Sequence, residues 1–213
     1  MKITIYCMKG SAGKTPIAVN IALSKGYALC TNEPYNLLDT IIPEDRLITL
    51  DPDEPFPDFP ADYDIVFDLA GLISRDAHES ILSAVKQSDV VIVPIYNEQK
   101  CIFAGIQTIT ELQKHTDNIV VVATKLQKQR NEHFEKWSDS ADFKNIRSIL
   151  EGTVGDGIPM IPLKFSKVFD TIFEKEQSID QLRASDSLAR YTYREISEQF
   201  DTLLTYLEKK YGK

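Results

Sequence analysis

Lys9-Gly10-Ser11-Ala12-Gly13-Lys14-Thr15 follows an apolar run at once and leads into a helix-like segment at once. Glycines at these spacings let a backbone curl until successive N–H groups face one anion. A helix that opens at the end of the curl adds its unpaired N–H donors and the positive end of its dipole. Lys14 can reach the outer phosphates of a nucleoside triphosphate, and the Thr15 hydroxyl can ligate Mg2+, an ion that takes oxygen ligands in an octahedron. The chemistry implied is binding of ATP and Mg2+ by Lys9, Gly10, Ser11, Ala12, Gly13, Lys14, Thr15 and Pro16, with Lys14 also a catalytic group.

A loop of this kind works only between a strand and a helix, and the pattern supplies both. Lys2 to Cys7 reads as the strand before it and Thr15 to Lys25 as the helix after it, closed by Gly26. Short apolar runs recur at Tyr27 to Cys30, Leu47 to Leu50, Ile65 to Asp68, Val90 to Pro94 and Ile119 to Ala123. The last three are continuously apolar, as strands covered by helices on both faces must be. Ala77 to Gln87 and Gly105 to His115 have helical period. Arg130 to Leu150 reads as a polar helix, and Ser187 to Tyr211 as one long helix with its apolar stripe from Ile196 to Tyr211. The alternation predicts an α/β fold with a doubly wound, mostly parallel sheet. No linker or repeat divides residues 1–213, so a single domain is expected.

Four prolines and five acidic residues fill Asp51 to Asp62, which excludes helix and central strand there. A solvated surface connection is the favoured reading, an acidic partner contact the sharper one. Cys7, Cys30 and Cys101 form no C-x-x-C pair, and His78, His115 and His133 do not join them in sequence, so no metal site of the His/Cys type is expected. A net charge of -8 argues against a uniformly basic nucleic-acid binder. No apolar stretch has the length of a signal peptide or a membrane span, which makes a reducing cytoplasm the expected compartment.

Lys9 to Thr15 resembles the deviant Walker A loop of the ParA/MinD ATPases. A strict Walker pattern has glycine where this chain has Met8, whereas that family carries a lysine at the place of Lys9. The resemblance implies that Lys9 reaches the phosphates of a partner subunit in an ATP-sandwiched homodimer. It also implies that Tyr63 to Gly71 is the Walker B segment, with Asp68 holding the Mg2+ shell, and that Glu33 orients the attacking water. Two departures stand out. Thr31-Asn32-Glu33-Pro34 replaces D-x-D-P, and Pro16 offers no N–H to the α phosphate.

The absence of an N-terminal extension makes the chain most like the short plasmid-partition type. That likeness implies slow ATP hydrolysis stimulated by a ParB-type partner, and non-specific DNA binding, for which Lys125, Lys128 and Arg130 are the candidates. Membrane binding is not expected, because the last helix mixes Glu195, Glu198, Asp201 and Glu208 with its lysines. A nucleotide-gated binding module with little hydrolysis and a small-molecule synthetase on the same loop are the alternatives.

Overall fold

In a computed structural model, which describes residues 1–33, 37–71 and 75–212, seven strands line up side by side. They are β1 (Lys2–Ile5), β2 (Ala28–Thr31), β3 (Leu47–Thr49), β4 (Ile65–Asp68), β5 (Val90–Tyr96), β6 (Ile119–Leu126) and β7 (Met160–Lys164). Their order is β3-β2-β4-β1-β5-β6-β7, and every pairing is parallel. The helices are α1 (Lys14–Lys25), α2 (Arg75–Gln87), α3 (Gln99–Leu112), α4 (Ala141–Val154), α5 (Val168–Lys175), α6 (Ile179–Ser185), α7 (Ser187–Thr192) and α8 (Arg194–Tyr211). The α/β architecture is the one expected.

Successive strand residues feed opposite cores, because side chains alternate across a strand. Val66, Ile92, Val120 and Val122 enter a core shared with α1, α5, α6 and α8. Phe67, Val91, Val93 and Val121 enter a second core shared with α2, α3 and α4. Both faces are covered, so the central strands carry no polar alternation. Gly105 of α3 passes close over β5: a Cβ there would lie 2.3 Å from Ile95 Cδ1, so any larger residue would have to displace that buried side chain.

The structure revises several elements. β7 escaped notice because it is an edge strand with alternating burial and a proline, and Pro162 is tolerated where only one neighbour is paired. The polar segment from Arg130 is helical only in its second half. α4 starts only at Ala141, where the Ser140 side chain accepts a hydrogen bond from the Phe143 N–H at 3.3 Å. The expected single C-terminal helix is two. α7 ends at Thr192, and the buried stripe begins at Ile196, so packing sets the register of α8 alone. The α8 stripe is buried through Leu207.

The acidic segment is a strap as well as a surface. Its carboxylates are exposed, but Phe56 is buried edge-on against Phe67, with ring centroids 5.4 Å apart. The Phe56 N–H donates to Ser83 Oγ at 2.7 Å, which fastens the strap to α2. Among the described residues no helix is long and apolar enough to cross a membrane.

Candidate functional site

β1 and β4 lie side by side at the centre of the sheet, so the ends of both open onto one cleft. Past β1 the chain turns sharply. Ser11 has φ 60° and Gly13 φ 98°, and the left-handed turn at Gly13 delivers the chain into α1 at Lys14. Ser11 holds a conformation that glycine adopts more easily, and two bonds from the end of β6 hold this stretch in place. The Thr124 hydroxyl donates to the Ala12 carbonyl at 3.0 Å, and Lys125 Nζ donates to the Ser11 carbonyl at 2.6 Å. From below, the Met8 N–H bonds Thr108 Oγ1 of α3 at 3.1 Å. On the β4 side Gly71 closes the approach, since a Cβ there would meet the Met8 carbonyl at 3.1 Å.

The functional side chains converge on this loop. Lys14 is buried, and its ammonium stands 3.4 Å from Glu33 Oε1. Glu33 is placed by the end of β2, where its N–H bonds Thr31 Oγ1 at 3.1 Å, and Thr31 Oγ1 donates to the Asp68 carbonyl at 3.0 Å. Asn32 is a structural pivot. Its side chain accepts from the Ala70 N–H at 2.7 Å and donates to Pro52 O and Ser80 Oγ, both at 3.1 Å.

Asp68 is fully buried, and among the described residues neither carboxylate oxygen has a well-formed hydrogen bond. Burial pushes its carboxyl up to about 7, against the pull of the neighbouring Thr15 hydroxyl and the Lys14 ammonium, with Glu33 adding to the rise. Two buried carboxylate oxygens beside the Thr15 hydroxyl offer the oxygen ligands that a hard cation such as Mg2+ takes.

The loop opens into a cavity of about 720 Å³, within the size range of sites for small ligands. Gly10, Lys14, Thr15, Pro16 and Glu33 line one end. Phe165, Phe169 and Phe173 line the other, where β7 passes into α5. This aromatic wall is absent from the sequence reading, although the four-residue spacing of Phe169 and Phe173 on α5 is legible as one helical face. Pro16 lies in the first turn of α1, where a helix needs no N–H from it, and Thr15 keeps a helical backbone. Lys9 is half-buried and makes no ion pair with a described residue.

Lys125 is partly buried, and its ammonium donates to the Ser11 carbonyl and lies over the Tyr96 ring. Lys128 lies over the Phe134 ring, and Arg130 is exposed. All three cysteines are buried and free.

The fold is that of the P-loop nucleotide-binding proteins. No family model and no curated protein matches the sequence. Among solved structures, the septum site-determining protein MinD from Pyrococcus horikoshii, complexed with Mg-ADP, aligns with a TM-score of 0.58. Identity is 14%, over 95% of this chain and 96% of that one. An ATP complex of McdA from Cyanothece aligns at 0.56, with 13% identity over 94% and 96% of the two chains. A plasmid partition protein from Borrelia burgdorferi bound to AMPPNP aligns at 0.54, with 14% identity over 96% and 98%. The chain thus has the fold of the MinD and ParA-type ATPases over nearly its whole length.

Proposed function

We propose that this chain is a partition-type ATPase that binds ATP with Mg2+ and pairs with a second copy across the nucleotides. The observation that carries the reading is Asp68. A fully buried carboxylate without a well-formed bond, next to Thr15 and Lys14, is costly unless a cation completes it. The solved structures with ATP, AMPPNP and Mg-ADP support the same reading of the cleft.

In this reading the loop N–H groups and the start of α1 hold the phosphates, and Lys14 neutralises their charge. Thr15 and Asp68 are the residues that would hold Mg2+, which when bound offsets charge on the outer phosphate oxygens. The aromatic wall takes the base. A triphosphate in the loop draws Lys14 away from Glu33, and the released carboxylate then orients the attacking water. Lys9, which makes no ion pair with a described residue, serves the partner's phosphates in the manner of a finger residue. A protein partner of ParB type stimulates hydrolysis, and any DNA contact falls to Lys128 and Arg130 rather than Lys125.

The test is molar mass in solution with and without ATP-Mg, for wild type and Lys9→Ala. Wild type should double in mass with ATP-Mg. Lys9→Ala should keep its ATP affinity and remain a monomer. A wild-type mass indifferent to saturating ATP-Mg removes the sandwich reading.

A second reading is a nucleotide-gated binding module that hydrolyses little, favoured by the Lys14–Glu33 ion pair and by Pro16. Single-turnover hydrolysis separates the two.

A further inference from the structure

On the outer side of the second core, α2 and the end of α3 bring three ligand-type side chains together. These are His78, Glu111 and His115. One ligand atom from each, two imidazole nitrogens and a carboxylate oxygen, lies within 4.8 Å of the other two. None of the three lines the nucleotide cleft.

Helical geometry explains the meeting. Glu111 and His115 are four residues apart, so they share one face where α3 ends. The turn there is fastened, since the His115 N–H bonds the Leu112 carbonyl at 2.8 Å and the Thr116 N–H bonds the same oxygen at 2.9 Å. His78 comes across from α2. Its ring centroid is 6.4 Å from that of His115, with 64° between the planes, so the rings meet at an angle rather than stacking. His115 Nε2 already stands 3.8 Å from Glu111 Oε1. Lys114 occupies the other carboxylate oxygen, Oε2, which leaves Oε1 on the histidine side.

We propose that His78, Glu111 and His115 form a binding site for a divalent transition-metal ion of the Zn2+ type, separate from the nucleotide site. Two imidazoles and one carboxylate suit ions of this borderline class, whereas Mg2+ and Ca2+ favour oxygen alone. Such an ion holds nitrogen and oxygen at about 2.0–2.2 Å, which in a tetrahedron sets ligand atoms about 3.4 Å apart. The observed spread must close by no more than about 1.4 Å, a movement open to side chains at the surface. Both histidines are exposed, so water completes the fourth position.

Occupied, the site ties α2 to α3. α3 also carries Thr108, the residue that bonds Met8 at the foot of the phosphate loop, and α2 follows the segment that begins with Asp68. The ion therefore fastens α2 to the helix that supports the foot of the phosphate loop, away from the cleft itself.

The experiment is calorimetric titration of the full chain with Zn2+ alone, free of nucleotide and of Mg2+. Wild type should take up one Zn2+ per chain, and His78→Ala and His115→Ala should each bind it at least about ten-fold more weakly, as loss of a direct ligand exceeds the loss seen for supporting groups. Zn2+ should raise the melting temperature of wild type and leave that of the double variant unchanged. Both histidines are exposed, so the variants should keep the metal-free melting temperature of wild type. Wild-type affinity and stoichiometry in the double variant, or no uptake by wild type, overturns the proposal.

Discussion

Replacing Asp68 by asparagine should alter how stability depends on pH, with a sign opposite to that of most carboxylates. The Asp68 carboxyl is raised from the ordinary value of 3.8 to about 7 by burial. Its neutral form is favoured in the folded chain, so its contribution is most favourable below the unfolded value. That contribution declines as pH rises through the interval from 3.8 to about 7 and stays at its lowest above it. At about 1.4 kcal/mol per tenfold change in proton affinity, the whole interval corresponds to roughly 4 kcal/mol of lost stability. Between about pH 5 and about pH 8 the loss is roughly 2–3 kcal/mol. Asparagine cannot ionise, and any packing or hydrogen-bond difference it introduces is the same at every pH. The measurement is urea unfolding of both proteins without nucleotide or divalent ions, at several pH values across that range. Wild type should lose roughly 2–3 kcal/mol relative to Asp68→Asn on going from the acid to the alkaline end. Parallel pH profiles would refute the account of Asp68 as a carboxyl whose burial outweighs the pull of Thr15 and Lys14.

Lys14→Ala should abolish detectable ATP-Mg binding in calorimetry, because the loop then faces the phosphate charge with dipoles alone. Pro16→Thr should tighten ATP binding by roughly ten-fold, since one charge-assisted hydrogen bond is worth about 1.5–3 kcal/mol. An equal or weaker affinity would mean that the loop already satisfies the phosphate by another route. Lys125→Met removes the bond to the Ser11 carbonyl and should weaken ATP binding several-fold while leaving the melting temperature within a few degrees of wild type.

The parallel sheet and its phosphate loop were legible because both are local patterns. Runs such as Val90 to Pro94 announce a strand buried on both faces, and glycines before Lys14 announce a curl before a helix. β7 was not legible, because an edge strand with Pro162 lacks the continuous apolar signal. Nor were α5 and α6, each at most eight residues long and held by packing rather than by period. At the site, Glu33, Lys14, Thr15 and Asp68 lie together; Lys14 and Thr15 were legible in the loop itself, Glu33 and Asp68 only through the family resemblance. The latch from Thr124 and Lys125 could not be read from sequence, because nothing local marks a lysine that will bond a carbonyl across the fold. The meeting of His78 with Glu111 and His115 was hidden for the same reason, although the four-residue spacing of the latter two was in plain view.

The latch also dictates when in folding the phosphate loop can take shape. β1 pairs with β4 and β5 and not with β2, the next strand in the chain. The loop after it is held by residues 112 and 114 positions downstream. During synthesis the glycines emerge long before the β6 side chains that will hold them. Loop closure over such separations is paid before any of its contacts form, so the nucleotide site is among the late products of assembly. A chain stopped after β5 has every residue of the loop and none of the β6 bonds that hold Ser11 and Ala12. The latched form of the loop therefore reports that β6 has joined the sheet.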